Sequence, residues 1–274
     1  LLAAWLLPYT WQARRLFYRD YVFTAEEART LERFPQALQA YGLEAWARLD
    51  GRGAATYFRQ AAAADPLYVD AWLKLAETEA AAGRLAAARA VLRFTHGLTA
   101  PVLRWKWPQT LLAHELDEEA VFRRNVDFLI SRGRMRDDCF NLVDLRYGAD
   151  PQPVLGFLSP EGLPAYLDWL MRWQRGEAAE AVWAALEEIG AVDGETCLKY
   201  VDFLIRTKKT GAAAAVWRQV TGAWGMTNGG FEAESTGRGF DWRLGREPAE
   251  RWRLRRSWGE GRGNTHALRL DFFG

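Results

Sequence analysis

Apolar positions recur along most of the chain at steps of three and four residues, the spacing of amphipathic helices, and the steps themselves recur at a longer interval. Between residues 166 and 217 one string is written twice. Tyr166-Leu167-Asp168-Trp169-Leu170-Met171 is followed by Ala181-Val182-Trp183, and Tyr200-Val201-Asp202-Phe203-Leu204-Ile205 by Ala215-Val216-Trp217, so that Tyr, Asp, Leu, Ala, Val and Trp return at an offset of 34 residues. A fixed period between about 20 and 50 residues marks an array of stacked supersecondary units, because one helix pair cannot bury its apolar face alone. The predicted fold is mostly α, a right-handed α-solenoid of antiparallel helix pairs.

The same ruler can be laid from Pro35. Residues 69–102 place Trp72, Leu75, Ala76, Gly83, Leu85, Ala88, Leu92 and Pro101 along it, and residues 35–68 place Leu38, Tyr41, Gly42, Ala54, Phe58, Ala61 and Pro66. Small residues let two antiparallel helices approach, and large ones fill the space beside them. In these two units, residues 35–102, the joint positions of large, small, Gly and Pro residues resemble the tetratricopeptide repeat family. The departures are Glu79, where an aromatic is usual, and Thr95 at a late small position. The resemblance implies a groove lined by the first helix of each pair that takes up a peptide or a helix of a partner protein.

Residues 103–161 are expected to form an irregular helical connector. Prolines crowd its edges, and a degenerate third copy, Asn125-Val126-Asp127-Phe128-Leu129-Ile130, lies inside it. A start near Asp117 to Ala120, a turn at Gly133, a helix over 137–145 and a loop over 147–161 are predicted. Residues 162–225 are expected to hold two more pairs, with Pro164 in a first helical turn, turns at Gly176 and at Lys208 to Gly211, and an end near Gly222. Residues 1–34 read as an apolar helical segment. Leu1 to Pro8, followed by Tyr9, Trp11, Arg14 and Arg15, fits either the end of a signal anchor with interfacial aromatics or an amphipathic start packed on the first repeat.

After Trp224 the period changes to two. Phe240, Trp242 and Leu244, then Trp252, Leu254 and Arg256, then Leu268, Leu270 and Phe272 alternate with polar neighbours, which predicts three or four antiparallel strands over 226–274, part of a sandwich. Asn228-Gly229-Gly230 marks a turn and Gly259 to Gly263 a hairpin connection. Asn228 to Glu232, Gly239 to Arg243 and His266 to Phe272 resemble the opening of jelly-roll domains that follow helical repeats in some bacterial cell-envelope and exopolysaccharide-associated proteins, and that are similar to carbohydrate-binding modules. This second resemblance implies a polysaccharide partner, Trp252 as its contact, and a place in the cell envelope, periplasmic or membrane-anchored, with the cytoplasm as the alternative.

Composition narrows the function. A formal net charge of +1 supplies no bulk attraction to nucleic acid, and the first helices carry no basic stripe, so nucleic acid is not an expected partner. Cys139 and Cys197 lie in helical stretches and read as small buried hydrophobes. His96, His114 and His266 are far apart and lack metal-ligand spacing, and no catalytic constellation emerges; neither enzyme activity nor a metal or cofactor is expected. The recurrent Asp127, Asp168 and Asp202 read as structural or groove-facing. Arg251 to Trp258 could stack sugars or bases, or form a strand with Trp252 and Leu254 inward and its arginines in water. Groove candidates are Lys74 and Glu77, Tyr166 and Trp173, and Tyr200 and Lys208, with specificity expected where the copies differ, at Trp173 against Thr207 and Gln174 against Lys208.

Overall fold

The computed structural model describes residues 34–222, 227–229, 231, 233–243, 252–259, 261 and 265–272, apart from the side chains of 252–254. The expected N-terminal segment lies outside the described residues. The chain divides into two compact units, one up to Leu142 and one from Val143. It is mostly helical, built from consecutive helix pairs, with a short antiparallel β segment near the C-terminus.

The first unit contains α1 (Pro35–Ala47), α2 (Gly51–Ala64), α3 (Val69–Ala81), α4 (Leu85–Leu98), α5 (Leu103–Glu115) and α6 (Glu119–Ser131). First helices begin at 35, 69 and 103 and second helices at 51, 85 and 119, so every start repeats at 34 residues. The turns between partners repeat as well, with left-handed residues at Leu49, Gly83 and Asp117 (φ 62°, 74° and 54°). The period therefore runs on through 103–136 without a break. The expected irregular connector is in this part a third pair, α5 packed on α6. Asn125, read as opening a copy of the Tyr166 string, lies on the second helix of that pair. Signature residues hid the register: 34 positions after Trp72, Leu75, Ala76 and Gly83 stand Lys106, Gln109, Thr110 and Asp117.

The small-residue logic holds in the first two pairs. Ala54, Ala55, Phe58 and Leu75 form one buried cluster, and Leu38, Ala61, Ala62 and Ala71 another. Asp50 caps α2 by accepting from the Gly53 amide at 2.9 Å, satisfying one of the amide donors a helix start leaves free. Both departures from the repeat pattern are resolved by pairing. Glu79 is buried yet accepts from Arg59 of the preceding pair at 3.1 Å and from Arg84. Thr95 turns its hydroxyl onto the Val91 carbonyl at 2.6 Å and so packs as a small apolar residue would.

The division between units falls inside α7 (Arg136–Tyr147). In the second unit a four-residue helix, α8 (Gln152–Leu155), interrupts the expected loop, and α9 (Leu163–Arg172), α10 (Gly176–Glu188), α11 (Gly194–Arg206) and α12 (Thr210–Thr221) form two pairs. Pro164 occupies the first turn of α9. Gln174 and Lys208 hold matching left-handed turn positions (φ 55° and 62°), again 34 residues apart. Asp193 caps α11 from the Thr196 amide at 2.7 Å, a bond that holds its carboxyl below the usual range. Cys139 and Cys197 are free and buried, and burial, seconded by Asp138, pushes the Cys139 thiol up to about 12.

Two strands, β1 (Trp252–Ser257) and β2 (Ala267–Phe272), pair antiparallel with Ser257 opposite Ala267, so the segment between them is a hairpin connection. The strand expected over 240–244 is not formed in its described part. Asp241 accepts from the amide and hydroxyl of Thr236 at 2.7 and 2.9 Å, and Gly237 and Gly239 take left-handed φ of 67° and 59°. These local bonds curl the backbone and send Phe240 to Trp217 (6.1 Å between ring centroids) and Trp242 to Phe231 (4.8 Å). Among the described residues no helix is long and apolar enough to cross a membrane.

Candidate recognition site

Helical spacing puts Lys199, Asp202 and Arg206 of α11 on one face, and Asp168 and Arg172 of α9 one turn apart. The structure sets these two faces beside each other, and the curled segment that follows α12 adds Gly237, Arg238 and Arg243. Together they line an open pocket of about 560 Å³, with Met171 as its apolar part. The pocket is laced by ion pairs. Lys199 reaches Asp168 at 3.3 Å and Glu195 at 3.4 Å; partial burial acts against its charge, and Asp168 followed by Glu195 outweighs that and raises its pKa. Asp202 accepts from the Gly239 amide at 2.8 Å and from Arg243 at 2.6 Å. Arg206 and Arg238 have no carboxylate partner among the described residues.

The segment carrying Arg238 and Arg243 is held from both sides. Besides the bond from Gly239 to Asp202, the backbone at Gly239 lies so close to Trp217 that a β-carbon there would come within 2.6 Å of the ring Cε3. Gly237 also lines a second pocket, of about 550 Å³, with Glu234, Thr236, Arg256, Trp258 and His266. Trp258 is 68 % exposed and meets His266 edge-on at 4.5 Å, and Arg256 Nη2 lies 2.8 Å from His266 Nε2.

Of the residues predicted for the groove, Tyr166, Trp173, Tyr200 and Lys208 of the second unit do not line this pocket. Lys74 and Glu77 lie on α3 and pair with each other at 2.6 Å. Tyr166 and Tyr200 are buried and serve packing, correcting their expected place as groove contacts: Tyr166 stacks near Trp169, and Tyr200 lies 4.2 Å from Trp183. Burial, seconded by Asp144, pushes the Tyr166 hydroxyl up to about 12. Trp173 is exposed and leans on Trp169 at 6.3 Å. Lys208 is exposed in the turn after α11. Trp252 opens β1, its side chain outside the described atoms. The recurrent aspartates carry the signal instead, since Asp168 and Asp202 both line the pocket. The contributions of Arg238 and Arg243 had no such signal; the alternation from Phe240 to Leu244 reads Arg243 as part of a strand, and nothing in the pattern singles out Arg238.

A second polar cluster went unpredicted, inside the third pair of the first unit. Lys106, Gln109, Thr110 and Asn125 are buried there, at positions that are apolar or small in the preceding pair. Gln109 Nε2 donates to Thr99 Oγ1 at 2.8 Å and Thr99 donates onward to the Thr95 carbonyl. His96 is half-buried against the group; burial first, and then the charge of Lys106, lower its pKa, while contacts with Gln109 and Asn125 act the other way.

Consecutive helix pairs, their starts 34 residues apart throughout the first unit, give the chain a helical-repeat architecture. No protein-family model matches it, and no curated protein does.

Proposed function

We propose that the chain is a non-catalytic interaction scaffold that holds a peptide or a helix of a partner protein on the first helices of its pairs. The observation behind this reading is the open, charged pocket between α9 and α11. Neighbouring first helices present a continuous surface there, with ion pairs holding its side chains in place, and preorganised polar groups on rigid helices are what peptide recognition requires. Photo-crosslinking tests the reading. A crosslinking residue placed at Lys74, Trp173 or Arg206 of the full chain is exposed to a library of peptides, with Gln60 and Ala184, exposed on second helices, as controls. Crosslinks confined to the first three positions support it; equal labelling of the controls overturns it.

A second reading, binding of a polysaccharide at the cell envelope, is favoured by one feature. Exposed Trp258 beside Glu234, Arg256 and His266 offers an aromatic face with polar groups around it, the combination that sugar rings use. Retention on immobilised glycans that is lost in Trp258→Ala, with Trp252→Ala as the comparison, supports this reading, and no retention by the unaltered chain removes it.

A further inference from the structure

We propose that the pocket between α9, α11 and the 237–243 segment recognises an acidic stretch of the partner, carrying at least two carboxylate side chains. This rests on the interaction reading above and names the chemistry of what is held. Five cationic residues, Arg172, Lys199, Arg206, Arg238 and Arg243, line the pocket against two carboxylates, Asp168 and Asp202. The whole chain has a net charge of only +1, so this excess is local and not a consequence of composition.

Both carboxylates are already engaged, Asp168 by Lys199 and Asp202 by Arg243 and the Gly239 amide. Among the described residues Arg206 and Arg238 are then the two arginines of the pocket left without a carboxylate. Arg172 and Arg206 stand in the last turns of α9 and α11, where a cation favours the helix end. That role accounts for those two alone. Arg238 and Arg243 come from outside the helices, on a segment fixed by Asp202, Trp217 and Thr236. Guanidinium groups held this way present planar forks that match carboxylates in two-point contacts. The volume is that of a site for a small group rather than a broad interface. Among the described residues no aromatic ring lines it, which sets it apart from sites that stack sugars or bases.

The test uses the full chain and fluorescein-labelled hexaglutamate with blocked ends, followed by anisotropy. Hexaglutamate is expected to bind and hexaglutamine not to bind. Raising salt from about 0.05 to 0.5 M should weaken binding roughly tenfold or more. Arg206→Gln with Arg238→Gln should weaken it at least about tenfold, whereas Arg93→Gln with Arg104→Gln, in the first unit, should leave it unchanged. Circular dichroism of each variant verifies the fold, and Arg206→Lys with Arg238→Lys should recover part of the binding. Equal binding of the two peptides, or indifference to Arg206 and Arg238, overturns the proposal. Tighter binding of hexagalacturonate or tripolyphosphate, dependent on the same arginines, overturns the peptide as occupant. If neutral peptides still crosslink to the first helices while hexaglutamate fails, only the acidic preference falls and the scaffold reading stands.

Discussion

The Trp183 ring lies 4.2 Å from that of Tyr200, their planes 12° apart. Trp183 belongs to the second helix of one pair and Tyr200 to the first helix of the next, so this contact is where two repeats of the second unit are joined. Both side chains are buried. Burial, seconded by Glu180 and Glu187, pushes the Tyr200 hydroxyl well above its ordinary range, and the ring's part here is packing.

Trp183→Ala is expected to cost about 3–5 kcal/mol, the range for truncating a buried aromatic. Urea unfolding followed by far-UV circular dichroism measures it. A loss below about 1 kcal/mol, typical of a surface position, would falsify the buried-interface account.

Gly42 sits in the middle of α1 with the Phe58 ring against it; a β-carbon there would lie 2.6 Å from Phe58 Cδ1. On helix propensity alone Gly42→Ala would stabilise by about 0.5–1 kcal/mol. The expected outcome has the opposite sign, a net loss of about 1–3 kcal/mol from overpacking. Pairing the change with Phe58→Leu should recover part of that loss, which a double-mutant cycle in urea reads directly.

The polar interior of the third pair predicts a pH dependence. Burial lowers the pKa of His96 below its ordinary 6.5, with Lys106 and Arg124 acting in the same direction. Between the folded and unfolded values the unfolded chain binds more protons. This contribution is therefore fully present above about pH 6.5 and is lost as pH falls below it. Melting temperatures of the unaltered chain should decline more steeply from pH 7 to 5.5 than those of His96→Gln. Lys106, its pKa lowered by burial, is a costly guest, and Lys106→Met should raise stability at neutral pH by about 1 kcal/mol or more.

Gly239→Ala should release the segment that carries Arg238 and Arg243. The added carbon meets Trp217, and the residue's φ of 59° is strained for any side chain but hydrogen. Hydrogen exchange at Gly239, whose amide donates to Asp202, should quicken, while amides of α9 and α10 keep their protection. Unchanged exchange at Gly239 would show that the segment is held by contacts other than these.

Helix pairing, the turn at Gly83 and the strands over 252–257 and 267–272 were legible in the order of residues, because each follows from spacing that neighbours along the chain enforce; the turn expected at Gly176 falls at Gln174, and Gly176 opens α10. The third pair was not legible. Its interior positions hold Lys106, Gln109 and Thr110, whose settings are tertiary or local: Gln109 donates to Thr99, Lys106 lies over the Phe128 ring, and Thr110 bonds back to the Lys106 carbonyl. The candidate site was half legible. The repeated Asp168 and Asp202 were visible as a pattern, and Lys199 and Arg206 follow from helical spacing once α11 is placed. Arg238 and Arg243 join them only through the docking of a segment whose alternation reads as a strand. Short-range periodicity records which face of an element is buried; it holds no information about which distant element will cover a given polar group. Pairing of Asp202 with Gly239 and Arg243, across about 40 residues, is settled by packing against Trp217.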